Sequence, residues 1–149
     1  MTIIAVRDGV MAADSMISAG GIRWCRSRKI KRLSNGALLG IAGDTIQASS
    51  YAIMLNRAIK AGHQPIVEML EPYDDIACLY LCKEGVYAME AGKNKVAGIF
   101  KLEGDFFAEG SGLESALAAF HLGADAELAV EVACDVNHSC ERPVQVEVL

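Results

Sequence analysis

Thr2-Ile3-Ile4-Ala5-Val6-Arg7-Asp8-Gly9-Val10-Met11-Ala12-Ala13-Asp14-Ser15 is the stretch from which the rest of the chain can be read. Two short apolar runs flank Asp8-Gly9, the pattern of a tight β-hairpin. Two registers are open. A two-residue Asp8-Gly9 turn pairs Thr2 with Ser15. A three-residue Arg7-Asp8-Gly9 loop, with Gly9 left-handed, pairs Thr2 with Asp14 and sets both on one face. Thr2 is one of two threonines in the chain and directly follows Met1. Removing Met1 leaves a hydroxyl beside a free α-amine, which is a catalytic unit: the hydroxyl attacks a carbonyl and the amine takes its proton. With a reference pKa of about 7.7–8, that amine can act as a base near neutral pH. A small polar residue at position 2 and an acid at a strand end are also ordinary surface features, so other residues have to decide.

Three later segments bear on the choice. Arg28-Lys29-Ile30-Lys31-Arg32-Leu33 lies in a basic run, which by itself reads as a solvated strand face. If Lys29 points inward, its charge favours proton loss from a neighbouring amine or hydroxyl, and Asp14 can hold it in place. Leu39-Gly40-Ile41-Ala42-Gly43-Asp44 reads as a strand turning straight into a helix at Gly43. Ala108-Glu109-Gly110-Ser111-Gly112 precedes an apolar run, and Ser111 with Glu114 has the spacing of a capping box.

In this order, the four segments resemble proteasome β-type subunits, including the bacterial HslV peptidase, which are N-terminal-nucleophile (Ntn) hydrolases. The resemblance is good over residues 2–44, fair over 104–149 and little more than pattern between. It implies Thr2 as nucleophile, Lys29 as the active-site lysine oriented by Asp14, and a Gly43 N–H at the oxyanion. Such a donor contributes about 3–4 kcal/mol to the transition state. It also implies Ser111 as the active-site serine. An aspartate and a serine between the last helix and last strand complete the family's site. Asp135 and Ser139 fit these roles, while a shifted register offers Asn137 and Cys140. Glu141-Arg142 stands where the family often has Gly-Gly. The implied fold is α+β, a four-layer αββα sandwich of two antiparallel sheets flanked by helices, spanning residues 1–149 as one domain.

The implied activity is threonine-type peptide or amide hydrolysis in a homo-oligomeric ring, with polypeptide as substrate and an AAA+ unfoldase as a further partner. Activation would rest on removing Met1 alone. Two other readings stay open: a catalytically silent assembly subunit, and an Ntn amidase for small molecules. Composition sets outer limits. A chain of 149 residues with 52% apolar content suits one domain that buries about 68–70% of its unfolded surface. No apolar run is long enough for a membrane span and no signal peptide is visible. A net charge of −5 with one short basic cluster argues against nucleic acid. Five cysteines without framework spacing suggest reduced thiols in the cytoplasm. Cys134, His138 and Cys140 form the one metal-like group, but no fourth ligand is evident, so neither metal nor cofactor is expected.

Periodicity places the remaining elements. Asn35-Gly36 is a hairpin turn leading into a strand over 37–42. Asp44 with Gln47 caps a helix through Tyr51, Leu55 and Ile59 to Gly62. A shorter helix follows over 65–70. Ile76–Cys82 and 86–89 pair around Glu84-Gly85, with Cys78 and Cys82 on one face. Strands over Ala97–Lys101 and 106–108, helices over 111–121 and 127–137, and a strand over 144–149 complete the chain.

Overall fold

The computed structural model describes residues 2–94 and 96–149. β1 (Ile3–Arg7) and β2 (Val10–Ala13) form the opening hairpin, with Arg7 opposite Val10 and Ile4 opposite Ala13. Asp8 and Gly9 have φ of 52° and 75°. Two successive positive φ values make a type I′ turn, whose twist matches that of paired strands. The two-residue register is therefore the one formed, and the register that sets Thr2 opposite Asp14 is not.

β1 and β2 lie at the centre of a four-stranded sheet of order β10-β1-β2-β11, with β10 (Phe106–Gly110) and β11 (Gln145–Val148) outside them. The second sheet has the order β5-β6-β7-β8-β9. It comprises β5 (Ile30–Arg32), β6 (Leu38–Gly43), β7 (Ile76–Cys82), β8 (Gly85–Ala91) and β9 (Ala97–Lys101). Every strand pairing is antiparallel.

Strand alternation sorts the apolar residues into three layers. Ile4, Val6, Met11 and Ala13 meet Leu38, Leu79, Leu81 and Val86 between the sheets. On the outer side of the first sheet, Ile3, Ala5 and Ala12 pack against α2 (Leu113–His121) and α3 (Ala126–Val136). On the outer side of the second, Leu39, Ile41, Cys78 and Met89 pack against Tyr51 and Leu55 of α1 (Thr45–Lys60). The result is the four-layer αββα sandwich. Gly40 lets the sheets approach: a Cβ there would lie 2.6 Å from Ile4 Cγ2 and 3.0 Å from Met11 Sδ. No helix among the described residues is long and apolar enough to cross a membrane.

Several elements depart from the sequence reading. β3 (Met16–Ala19) and β4 (Ile22–Arg26) form a separate hairpin that the reading lacked. β4 is exposed along its whole length, so its short Ile22-Arg23-Trp24 alternation marks no buried face. The helix expected over 65–70 is a single 3₁₀ turn, Val67–Met69. Asp44 does cap α1, accepting from the N–H groups of Ile46 and Gln47. The Gln47 side chain does not return to Asp44. Its amide instead bonds Asp74 and Asp75, tying α1 to the segment before β7.

Candidate active site

Among the described residues, the buried polar or charged side chains are Thr2, Asp14, Ser15, Lys29 and Ser139. A chain of this size can leave all its charges at the surface, and burying an ion pair rarely adds stability. These five come from four segments, and Thr2, Lys29 and Asp14 bond one another at one end of the hairpin, which makes this the candidate site.

Lys29 stands at its centre. The segment preceding β5 delivers it under the start of β1, where Nζ donates to Thr2 Oγ1 at 2.9 Å and to Asp14 Oδ1 at 2.8 Å. Its side chain is 7% exposed and that of Asp14 is 0% exposed. Burial pushes the Lys29 pKa below the ordinary lysine value, and the attraction of Asp14 opposes that shift. The pair therefore leaves an ammonium with a weakened hold on its proton against the threonine hydroxyl.

Asp14 reaches this point because the chain leaves the sheet after Ala13. Its carboxylate turns back over the start of β1 and accepts from Ile3 N–H at 2.9 Å and Met16 N–H at 3.0 Å. Glu141 N–H adds a longer contact at 3.4 Å. A carboxylate held by several N–H donors and a lysine is oriented as well as charged. Glu141 thus takes part through its backbone, while its own carboxylate lies near Arg23 and Arg26 of β4.

Ser111 does not cap α2. The N-cap is Gly112, without a side-chain cap bond. The Ser111 hydroxyl accepts from Thr2 N–H at 3.0 Å and donates to the Thr2 carbonyl at 3.2 Å. Asn137 holds Ser111 from behind, donating from Nδ2 to its carbonyl at 2.8 Å, and its Oδ1 accepts from Ser139 N–H. Ser139 is buried one bonded residue away from Ser111. Asp135 lies outside the cluster, its exposed carboxylate paired with Arg142, which holds it below the usual carboxylate range. Ala126, Ala129, Val130 and Ala133 define the inward face of α3. Asp135 sits two residues beyond Ala133, about 200° around the helix. Cys140 is in the core beside Ile3, and burial pushes its thiol up to about 12. His138 lies past the end of α3 and does not stand a helical turn from Cys134; no three metal-ligating side chains converge among the described residues.

Gln145 has no counterpart in the sequence reading. Its Oε1 accepts from Lys29 N–H at 2.9 Å. Its Nε2 reaches the Ser27 carbonyl at 2.7 Å, Ser15 Oγ at 3.1 Å and the Asp14 carbonyl at 3.3 Å. One amide on β11 thereby ties the backbone of Lys29 to that of Asp14. Its alternation within an exposed edge strand was the only available signal, and that pattern says nothing about a partner 116 residues away.

A cavity of about 160 Å³ opens beside Thr2 and Lys29, bordered by Gly43 at the head of α1. Gly43 has φ of 109°, and a Cβ would collide with the Asp75 carbonyl oxygen, so glycine is required where β6 turns into α1. Met1, whose removal the expected chemistry requires, lies outside the described residues.

No protein-family model and no curated protein matches this sequence. Solved structures do match in fold. The eukaryotic HslV from Trypanosoma brucei is similar at a TM-score of 0.75 and 21% identity, over 99% of this chain and 98% of that one. BPH from Thiobacillus denitrificans, solved in complex with epoxomicin, is similar at a TM-score of 0.66 and 20% identity, over 99% and 97%. A second BPH structure gives 0.65 and 22% over 99% and 96%. The fold is that of HslV and the proteasome-like peptidases.

Proposed function

We propose that this chain is a threonine-type Ntn peptidase that works in a homo-oligomeric ring. The observation that carries this reading is Lys29 Nζ, buried between Thr2 Oγ1 and Asp14 Oδ1. Once Met1 is gone, the Thr2 amine takes the Oγ proton and Oγ attacks the scissile carbonyl. Lys29 stabilises the developing alkoxide. The oxyanion of the tetrahedral intermediate lies toward the Gly43 N–H. The amine then passes its proton to the leaving nitrogen, and the C–N bond breaks to leave an ester on Thr2. Water, deprotonated by the same amine, attacks that ester; the acid product leaves and Oγ recovers a proton. Ser111, already bonded to the Thr2 nitrogen, orients the amine. Ser139 supports Ser111 through Asn137.

The ring is supported by likeness to HslV and by apolar side chains left in solvent, among them Ile22 and Trp24 of β4 and Ile46 and Ile53 of α1. An AAA+ unfoldase partner is an expectation from resemblance alone. Incubation with epoxomicin, the ligand of the Thiobacillus denitrificans BPH complex, followed by intact mass measurement, tests the chemistry. The expected result is loss of Met1 and one covalent adduct, absent from Thr2→Ala. Retained Met1 without an adduct would make the chain an unprocessed or catalytically silent member of the fold.

A further inference from the structure

The basic segment from Arg23 to Arg32 supplies six cations: Arg23, Arg26, Arg28, Lys29, Lys31 and Arg32. Four face a carboxylate of this chain. Arg23 and Arg26 lie against Glu141, Lys29 against Asp14, and Arg32 against Glu147. Among the described residues no ion-pair partner is found for the other two, Arg28 and Lys31, and both line the cavity beside Thr2.

We infer that this cavity selects substrates with an acidic side chain, aspartate or glutamate, on the residue whose carbonyl Thr2 attacks. The inference rests on the peptidase reading and deepens it. At about 160 Å³ the cavity is below the ~300–1,000 Å³ of small-molecule sites, and it suits one side chain. Its walls combine apolar Met16 and Ile41 with the two cations, a fit for the methylene stem and charged tip of glutamate. Asp44 is the one acidic residue in the lining, and its carboxylate already accepts from the Ile46 and Gln47 N–H groups. The chain as a whole carries −5, so the positive sign here is local and opposite to that of the molecule.

The test uses the full-length Thr2→Ala protein, in which binding is read without turnover. Three labelled peptides, identical except for Glu, Leu or Lys before the scissile bond, are titrated by fluorescence anisotropy. The Glu peptide is expected to bind about tenfold more tightly than the Leu peptide, the scale of two partly exposed ion pairs, with Lys weakest. Adding Arg28→Glu and Lys31→Glu should reverse the order. Arg28→Gln with Lys31→Gln should flatten it, which guards against a charge-reversed protein that fails to fold. Equal affinities, an order unmoved by either double variant, or no binding by any peptide would overturn the inference. Ordered binding with no turnover in the Thr2 protein would sink the peptidase reading alone.

Discussion

Ile4 and Asp14 are both 0% exposed, one on β1 and the other directly after β2 of the same hairpin, yet they belong to opposite kinds of interior. Around Ile4, the layer between the sheets is aliphatic, closely packed and made possible by Gly40. Burial there is favourable by about 1.5–3 kcal/mol for each large side chain. Around Asp14, the same depth holds a carboxylate, a lysine and a hydroxyl whose desolvation opposes folding. The first region stabilises the second. Substitutions should accordingly change stability alone in the first and chemistry in the second.

The largest effect is expected at Lys29. Lys29→Ala should reduce turnover to background and lower unfolding free energy by about 3–5 kcal/mol, because Asp14 is left buried without its cation. Denaturant titration alongside a peptide assay measures both, and an active variant would remove Lys29 from the mechanism. Gln145→Leu should lower kcat by about 10²-fold with KM nearly unchanged, since it loosens the backbone that aims Lys29. An equal rise in KM would instead make Gln145 part of the substrate site.

Leu79→Ala, in the aliphatic layer, should reduce stability by about 2–5 kcal/mol while kcat per folded molecule stays constant. A fall in kcat would show that the two interiors are coupled. The pH dependence gives a finer test. Burial lowers the Lys29 pKa and Asp14 raises it. Asp14→Asn removes the raising influence, so any inflection due to Lys29 in the residual pH–rate profile should move to lower pH. The smallest effect concerns the thiols. Exposed Cys25 should react first with iodoacetamide at pH 8. Cys134 and Cys140, pushed up to about 11 and about 12, should react slowly, and peptide mapping over time would show the order.

The legible parts of the fold were those with local causes. A continuous apolar run placed β7, and short apolar runs around Asp8-Gly9 announced the hairpin. The same dipeptide carried two registers, and the choice depended on two positive φ values that only the folded turn displays. Ser111 shows a different limit. Its spacing to Glu114 suits a helix cap, but the Thr2 nitrogen competes for the same hydroxyl and wins, because β1 pairs with β10 immediately upstream. Asp135 had the right type and the right neighbourhood in sequence. The inward alanines of α3 turned it to solvent, and Asn137 is the residue that bonds Ser111.

By itself the sequence determined the order of chemical groups along the chain: a threonine at position 2, an acid after the return strand, a lysine before the next, and a serine before a late helix. It also determined the layered α+β character, since helix and strand periods are local properties of the chain. Tertiary structure alone decided which groups touch. Thr2 meets Ser111 across 109 residues and Lys29 meets Gln145 across 116. Such contacts arise from sheet order and packing, which are set by the burial of the whole apolar surface at once. No local pattern carries that information.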